Sequence, residues 1–211
     1  MRSRSPRPME ALDRLKEGNE RFVRGQSIHG KLSEEAFVRL RDGQRPFAVI
    51  LGCSDSRVPP ELVFDQSLGD LFVIRLAGNL IAPGVAGSIQ YAYQHLGTSL
   101  LIVLGHEGCG AVKAALAAKF HRAKHPERIR QLVELIEPGL AQIDPNLSAA
   151  EQLAASIEAN VRWSMDQVIR APEARQAFRR KGSVLIVGAI YELSTGKVRW
   201  LDDSSRGKAA Q

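Results

Sequence analysis

Residues 99–116 read SLLIVLGHEGCGAVKAAL and pass from a strand pattern into a helix pattern. The first half is a run of branched apolar side chains, which is typical of a strand buried on both faces. The second half is dense in alanine and leucine, which favour helix. His106 and Cys109 lie between them among glycines, which let the backbone turn tightly. The stretch predicts a buried strand, a loop with two candidate ligands, and a helix.

Similar patterns flank this stretch on both sides. FAVILGC (47–53) and DLFVIRLAGN (70–79) predict two further buried strands upstream. Downstream, GSVLIVGAIYELSTGKVRWL (182–201) predicts a buried strand, a turn at 194–196 and a last strand that pairs antiparallel by a hairpin.

Helical patterns separate the strands. Ser148 is a candidate N-cap before Glu151 for the longest of them. The predicted helices cover 9–24, 84–97, 109–120, 129–136, 148–169 and 171–181. Because parallel strands need crossover connections, the alternation predicts an α/β fold. We expect a mostly parallel central sheet with helices on both faces, the last strand antiparallel, and an N-terminal helical arm.

The length of 211 residues favours a single domain over residues 1–211. Within it we expect a disordered basic tail at 1–8, a helical arm at 9–45, an α/β core at 46–203 and a loose tail at 204–211. The composition, 44% hydrophobic and 25% charged, is that of an ordinary soluble globular protein.

The formal net charge of +6 is spread along the chain, without a nucleic-acid motif or a clustered basic stripe with aromatics. We therefore expect no nucleic-acid partner. No stretch approaches the roughly 20 apolar residues that span a bilayer, and the N-terminus lacks the apolar core of a secretory signal. The prediction is a cytoplasmic protein without a membrane partner. The chain has only two cysteines, so metal binding or catalysis is their first candidate use.

The candidate site combines both cysteines with a histidine. His106 and Cys109 are three residues apart at the end of one predicted strand, and Cys53 ends another. Sites in open α/β sheets form at the carboxyl ends of strands. Two thiolates and one imidazole favour zinc, and three protein ligands leave one position open, as in catalytic zinc sites. The alternative is that both cysteines are simply small buried apolar residues. Asp55 and Arg57, which are too polar to bury without partners, weigh against it.

These motifs together resemble a β-class carbonic anhydrase. The resemblance runs from ALDRLKEGNERFVRG through CSDSRVPPELVF, GDLFVIRLAGN, SIQYAYQHLG and VLGHEGCGAVKAAL to VGAIYELSTGKV, and so covers most of the chain. It implies a zinc-dependent lyase that reversibly hydrates carbon dioxide to bicarbonate and a proton by zinc-bound hydroxide. It also implies a homodimer or higher homo-oligomer, with the first helix lying on a neighbouring subunit.

The resemblance assigns roles to individual residues. Cys53, His106 and Cys109 match the ligands of one Zn2+ per chain, and Asp55 with Arg57 matches the catalytic pair. The substrate-binding positions that it implies are Gln44, Phe72, Ala77 and Tyr91.

A second branch of this family has a non-catalytic bicarbonate site of tryptophan, arginine and tyrosine. Arg75 and Tyr191 match it, but Ile50 stands at the tryptophan position. With Gln44 present, this favours the branch whose resting zinc is open to water. We expect Arg57 to hold Asp55 by a two-pronged hydrogen bond. Release of that carboxylate would let it reach the metal as a fourth ligand.

Two alternatives remain at this stage. One is a hydrolase of carbonyl sulfide or carbon disulfide on the same fold, since such relatives share the ligands and differ in pocket access. The other is a zinc or thiol redox-regulatory protein that uses Cys53 and Cys109 as a pair.

Overall fold

The computed structural model describes residues 6–28, 34–171 and 184–201. Its centre is a five-stranded sheet in the order β2-β1-β3-β4-β5. The strands are β1 Ala48–Gly52, β2 Leu71–Arg75, β3 Leu100–His106, β4 Leu185–Tyr191 and β5 Val198–Trp200. The pairs among β1 to β4 are parallel, whereas β4 and β5 pair antiparallel. The predicted strands and the closing hairpin are therefore confirmed.

Helices cover both faces of this sheet. They are α1 Pro8–Val23, α2 Glu34–Arg41, α3 Pro60–Val63, α4 Pro83–Tyr91, α5 Gly110–His121, α6 Glu127–Ile136 and α7 Ala149–Arg170. A π-helical turn, Ala92–Leu96, continues α4 until Gly97 ends it in the left-handed conformation, and a 3-10 turn, Glu137–Leu140, follows α6. The expected helix over 171–181 and the tail at 204–211 lie outside the described residues, as does most of the tail at 1–8.

The sheet separates two apolar cores. Val49 and Leu51 of β1 face one core together with α4, α5, α6 and α7. Ile50 faces the other core together with α1 and α3. This alternation follows from the two-residue period of a strand. Because both faces are covered, β1 and β3 are buried along their whole length.

Helix α1 packs on its own chain. Leu15 is fully buried on the sheet, and Asn19 is 6% exposed. The Asn19 amide donates to the carbonyls of Val63 and Gly196, and its oxygen accepts from Val198 N–H. These contacts fasten α1 within its own chain, and the expectation that the first helix lies on a neighbouring subunit stays a prediction.

Helix α7 begins as predicted. Ser148 accepts a hydrogen bond from Glu151 N–H, and the Glu151 carboxylate accepts one from Ser148 N–H. This reciprocal capping satisfies donors that a helix start otherwise leaves unpaired. Within the described part of the chain, no helix combines the length and the apolar composition needed to cross a membrane.

Candidate metal centre

The three predicted ligands meet where β1 and β3 end. These strands are parallel neighbours, with Gly52 beside Leu104, so Cys53 and His106 emerge at the same edge of the sheet. Cys109 follows at the N-cap of α5. The two Sγ atoms and a ring nitrogen of His106 all lie within 4.8 Å of one another. Among the described residues this is the one cluster of three or more such groups able to hold a metal ion.

The His106 ring is oriented as a metal ligand requires. Its Nδ1 lies 2.8 Å from the Glu107 carbonyl oxygen, which assigns the ring proton to Nδ1. Nε2 then presents a lone pair, and this buried atom has no hydrogen-bond partner in the described structure. Metal-binding histidines usually donate their other ring N–H to a carbonyl or carboxylate in this way.

The two thiols are buried together, at 5% and 1% exposure. Hydrogen bonding with the Cys109 thiol, and to a smaller extent with His106 and the Gly78 and Asp55 N–H groups, lowers the pKa of Cys53 to about 4. The same pairing raises the pKa of Cys109 far above its usual range. A second negative charge here therefore needs a cation, which a zinc ion would supply. The donor set of two thiolates and one imidazole fits zinc, with one coordination position left open.

Asp55 and Arg57 form the expected pair beside the ligands. Arg57 Nε and Nη2 donate to the two carboxylate oxygens at 2.9 and 2.8 Å, and Arg57 N–H donates at 3.0 Å. Hydrogen bonding from the Arg57 side chain holds the pKa of Asp55 well below its ordinary value. Asp55 Oδ2 lies 3.9 Å from His106 Nε2, so an ionised carboxylate borders the ligand cluster.

Arg75 clamps the backbone of the ligand loop. Its Nε donates to the Cys53 carbonyl at 2.8 Å and its Nη2 to the Asp55 carbonyl at 2.5 Å. The family resemblance links Arg75 only to the bicarbonate site of a second branch. Of the other positions of that site, Ile50 is fully buried in β1, and Tyr191 is buried at the end of β4.

The remaining predicted site residues are less enclosed. Phe72 in β2 and Tyr91 at the end of α4 have ring centroids 6.2 Å apart, and Tyr91 is 46% exposed. Ala77 is half-buried in the turn after β2. Gln44 is exposed in the segment between α2 and β1, so a single chain does not enclose it.

Gly78 was not predicted as part of the site. Its N–H donates to Cys53 Sγ at 3.3 Å. Its φ of +84° lies in the left-handed region, which favours glycine. The only local signal is the Gly-Asn dipeptide directly after a strand, which marks a turn but says nothing of a neighbouring thiolate.

Comparisons with known proteins agree on one family. Residues 48–198 match the profile of the carbonic anhydrase family. Carbonic anhydrase 2 of Mycobacterium tuberculosis is 41% identical over 193 residues, which cover 90% of this chain and 91% of that relative. The β-carbonic anhydrase CafA of Aspergillus fumigatus superposes with a TM-score of 0.72 at 27% identity, over 92% of this chain and 90% of that one.

A tetrameric β-carbonic anhydrase of Sordaria macrospora has the same fold. It superposes with a TM-score of 0.72 at 24% identity, over 79% of this chain and 86% of that one.

Proposed function

Because the chain belongs to the β-class carbonic anhydrases, we propose that Cys53, His106 and Cys109 hold one zinc ion at which its reaction takes place. The reaction is the reversible hydration of carbon dioxide to bicarbonate and a proton. Bound zinc supplies a Lewis acid that makes hydroxide available from water near neutral pH. Carbonic anhydrase, in its three-histidine form, is the standard example of this effect.

The observation that carries the proposal is the His106 ring. It is fully buried, donates from Nδ1 to Glu107, and leaves Nε2 without a hydrogen-bond partner among the described residues, beside two buried sulfur atoms. An unpaired ring nitrogen in such a place carries a desolvation cost. Coordination to a metal ion removes that cost and balances the charge of the thiolates.

Asp55 and Arg57 are the proposed catalytic pair. Asp55 stays ionised at neutral pH because Arg57 donates to both of its oxygens. A fixed carboxylate beside the ligands would accept a hydrogen bond from the attacking oxygen and so turn its lone pair toward carbon dioxide. Arg57 keeps the same carboxylate away from the metal position. We propose that release of Asp55 closes the site, which makes activity depend on this ion pair.

Phe72, Ala77, Tyr91 and Gln44 are the proposed substrate-binding residues. The neighbouring rings of Phe72 and Tyr91 offer an apolar surface, which suits carbon dioxide. Gln44 is exposed, so its proposed role requires a second chain to bring it to a site. Gln44→Ala should then raise KM more than it lowers kcat.

The functional assembly that we propose is a homodimer or larger homo-oligomer. Phe37 and Val38 on α2 are 56% and 58% exposed. Leu62 and Leu68, near α3, are 60% and 56% exposed. Large exposed apolar side chains of this kind favour burial against another chain. The tetrameric relative from Sordaria macrospora supports the same interpretation. Sedimentation analysis of the zinc-loaded protein checks it.

We also propose a cytoplasmic location. Cys53 and Cys109 are both free thiols, and a reducing compartment keeps them available for metal. Fractionation of cells that express the native chain, with detection of the protein, provides the test.

The decisive experiment joins metal analysis to a stopped-flow assay of carbon dioxide hydration. Wild type should contain about one zinc per chain, and His106→Ala should lose both zinc and activity. His125→Ala is the matched control, because His125 Nε2 pairs with the Ala114 carbonyl, away from the three ligands. His106→Ala with full zinc and full activity would contradict the proposal. Zinc-loaded wild type that hydrolyses carbonyl sulfide but does not hydrate carbon dioxide would instead support the hydrolase alternative.

A further inference from the structure

A turn directly after β2 forms one side of the candidate metal centre. Asn79 N–H donates to the Leu76 carbonyl at 3.0 Å, which closes the turn. Gly78 and Asn79 both have positive φ, +84° and +44°. Two consecutive left-handed residues are uncommon outside tight turns, and the second of them is not glycine. The turn brings Gly78 N–H to 3.3 Å from Cys53 Sγ.

Helix α7 holds this turn from the opposite side. Asn160 Nδ2 donates to the Gly78 carbonyl at 2.7 Å, and Ser164 Oγ donates to the Asn79 carbonyl at 3.0 Å. Both side chains are fully buried, and they lie four residues apart on one face of the helix. The carbonyls of Gly78 and Asn79 thus each accept a hydrogen bond from a different side chain of α7.

The contacts fix the peptide between residues 78 and 79 at both polar atoms. Its oxygen accepts from Asn160, while its N–H donates to Leu76. A planar peptide held at both ends cannot rotate without breaking a hydrogen bond. The N–H of Gly78 is one Cα away, so its direction toward Cys53 depends on this peptide.

Burying amide and hydroxyl groups on α7 has a free-energy cost that apolar side chains at the same positions would not have. The neighbouring helix residues Val161 and Met165 are buried and apolar, as the core requires. Asn160 and Ser164 interrupt this apolar surface where it meets the turn, and there Asn160 Nδ2 and Ser164 Oγ find partners.

We propose that Asn160 and Ser164 are positioning residues for the metal ligand Cys53, because they hold the turn in which Gly78 N–H donates to the Cys53 sulfur. This inference rests on the proposed zinc site. An N–H donor draws electron density from a thiolate and weakens its donation to the metal. Two thiolates quench much of the charge of Zn2+, so this hydrogen bond preserves some of the Lewis acidity that the reaction needs.

The test compares variants of three residues on the same face of α7. Asn160→Ala removes the donor to Gly78, and Ser164→Ala removes the donor to Asn79. Ser156→Ala is the matched control, because Ser156 is equally buried but its Oγ has no hydrogen-bond partner in the described structure. Each protein is prepared with zinc and with cobalt(II), and zinc affinity is measured by competition with a chelator.

In Asn160→Ala the thiolate-to-cobalt charge-transfer band should move to longer wavelength, because the thiolate loses its N–H donor. Zinc affinity should fall about 10-fold, because the turn no longer holds Cys53 in position for the metal. Ser164→Ala should shift the charge-transfer band and lower the zinc affinity in the same directions, but by smaller amounts than Asn160→Ala. Ser156→Ala should match wild type in both, even if it melts at a lower temperature. If Asn160→Ala does not fold, the comparison of Ser164→Ala with Ser156→Ala decides.

Cobalt spectra and zinc affinities of Asn160→Ala and Ser164→Ala equal to those of Ser156→Ala would overturn the inference and leave the metal site intact. A wild-type protein without any thiolate-to-cobalt band would overturn the proposed zinc site itself, and the inference with it. The two failures are therefore distinguishable.

Discussion

Arg57 holds both carboxylate oxygens of Asp55, with Nε–Oδ1 at 2.9 Å and Nη2–Oδ2 at 2.8 Å. The two parallel bonds fix the plane of the carboxylate as well as its position. Asp55 Oδ2 remains 3.9 Å from His106 Nε2, close to the ligands but separate from them. The proposed role of this ion pair is therefore to keep the carboxylate beside the metal site and out of the metal position.

Arg57→Ala should release Asp55 toward the metal. We expect kcat/KM for carbon dioxide hydration to fall about 10- to 100-fold, because the carboxylate then competes with water. Arg57→Lys should recover little of the lost kcat/KM, since an ammonium group cannot make the two-pronged contact with the Asp55 carboxylate. A crystal structure of zinc-loaded Arg57→Ala, solved at several pH values, checks the cause. Water on zinc in all of them would contradict the swing of Asp55. Arg170→Ala, which breaks the ion pair with Asp166 far along α7, is the control.

Asp55 should contribute to stability in a pH window set by its lowered pKa. Hydrogen bonding from the Arg57 side chain holds that pKa below the ordinary 3.8. A lowered folded-state pKa adds stability that is complete above the unfolded value and is lost as the pH falls through the folded value. The difference in free energy of unfolding between wild type and Asp55→Asn should therefore narrow as the pH falls below about 4. Urea unfolding of the metal-free proteins measures it. A difference that widens in acid would contradict this account.

Gly78→Ala should destabilise the fold and the metal site together. The φ of +84° is strained for alanine, and an added Cβ would lie 2.9 Å from Ile136 Cδ1. We expect a loss of about 1–3 kcal/mol in the free energy of unfolding. Gly84→Ala is the matched control, because a Cβ there meets nothing within 4 Å and the residue lies in α4. Thermal unfolding of both zinc-loaded variants checks the difference, and equal melting temperatures would refute it.

Asn19→Ala should loosen α1 from the rest of the chain. The substitution leaves the Val63 and Gly196 carbonyls and the Val198 N–H without their partner. Unpaired buried groups of this kind lower stability by about 1–3 kcal/mol each, so we expect a total loss of at least about 2 kcal/mol. Asn146→Ala, in an exposed loop, should stay within about 0.5 kcal/mol of wild type. Urea unfolding provides the measurement. A neutral Asn19→Ala would show that α1 is not fastened within its own chain.

Much of the fold followed from local patterns. The apolar run of 47–53 predicted β1, and the Ser148 and Glu151 signature predicted the start of α7. Such signals depend only on residues a few positions apart, so a short stretch of sequence is enough to recognise them. The short helix α3 was not predicted, because four residues are too few to show the helical period of apolar positions.

The three candidate ligands could also be predicted from the sequence, because two cysteines and a histidine at the ends of two predicted strands are typical of a metal site. His106 and Cys109 are close in the chain, and only Cys53 had to come from elsewhere. Cys53 lies beside the other two because β1 and β3 are neighbours in the sheet.

The sequence by itself determined most of the helices and strands, the His106 and Cys109 loop and the Asp55 and Arg57 pair, because each of these is encoded by side chains within a few residues of one another. Only the tertiary structure decided that Cys53 meets His106, that α1 packs on the sheet of its own chain, and that Asn160 of α7 supports a turn at Gly78, 82 residues earlier. The physical reason is that a buried hydrogen bond between distant segments depends on how whole elements pack. No local pattern records which carbonyl a buried amide will meet.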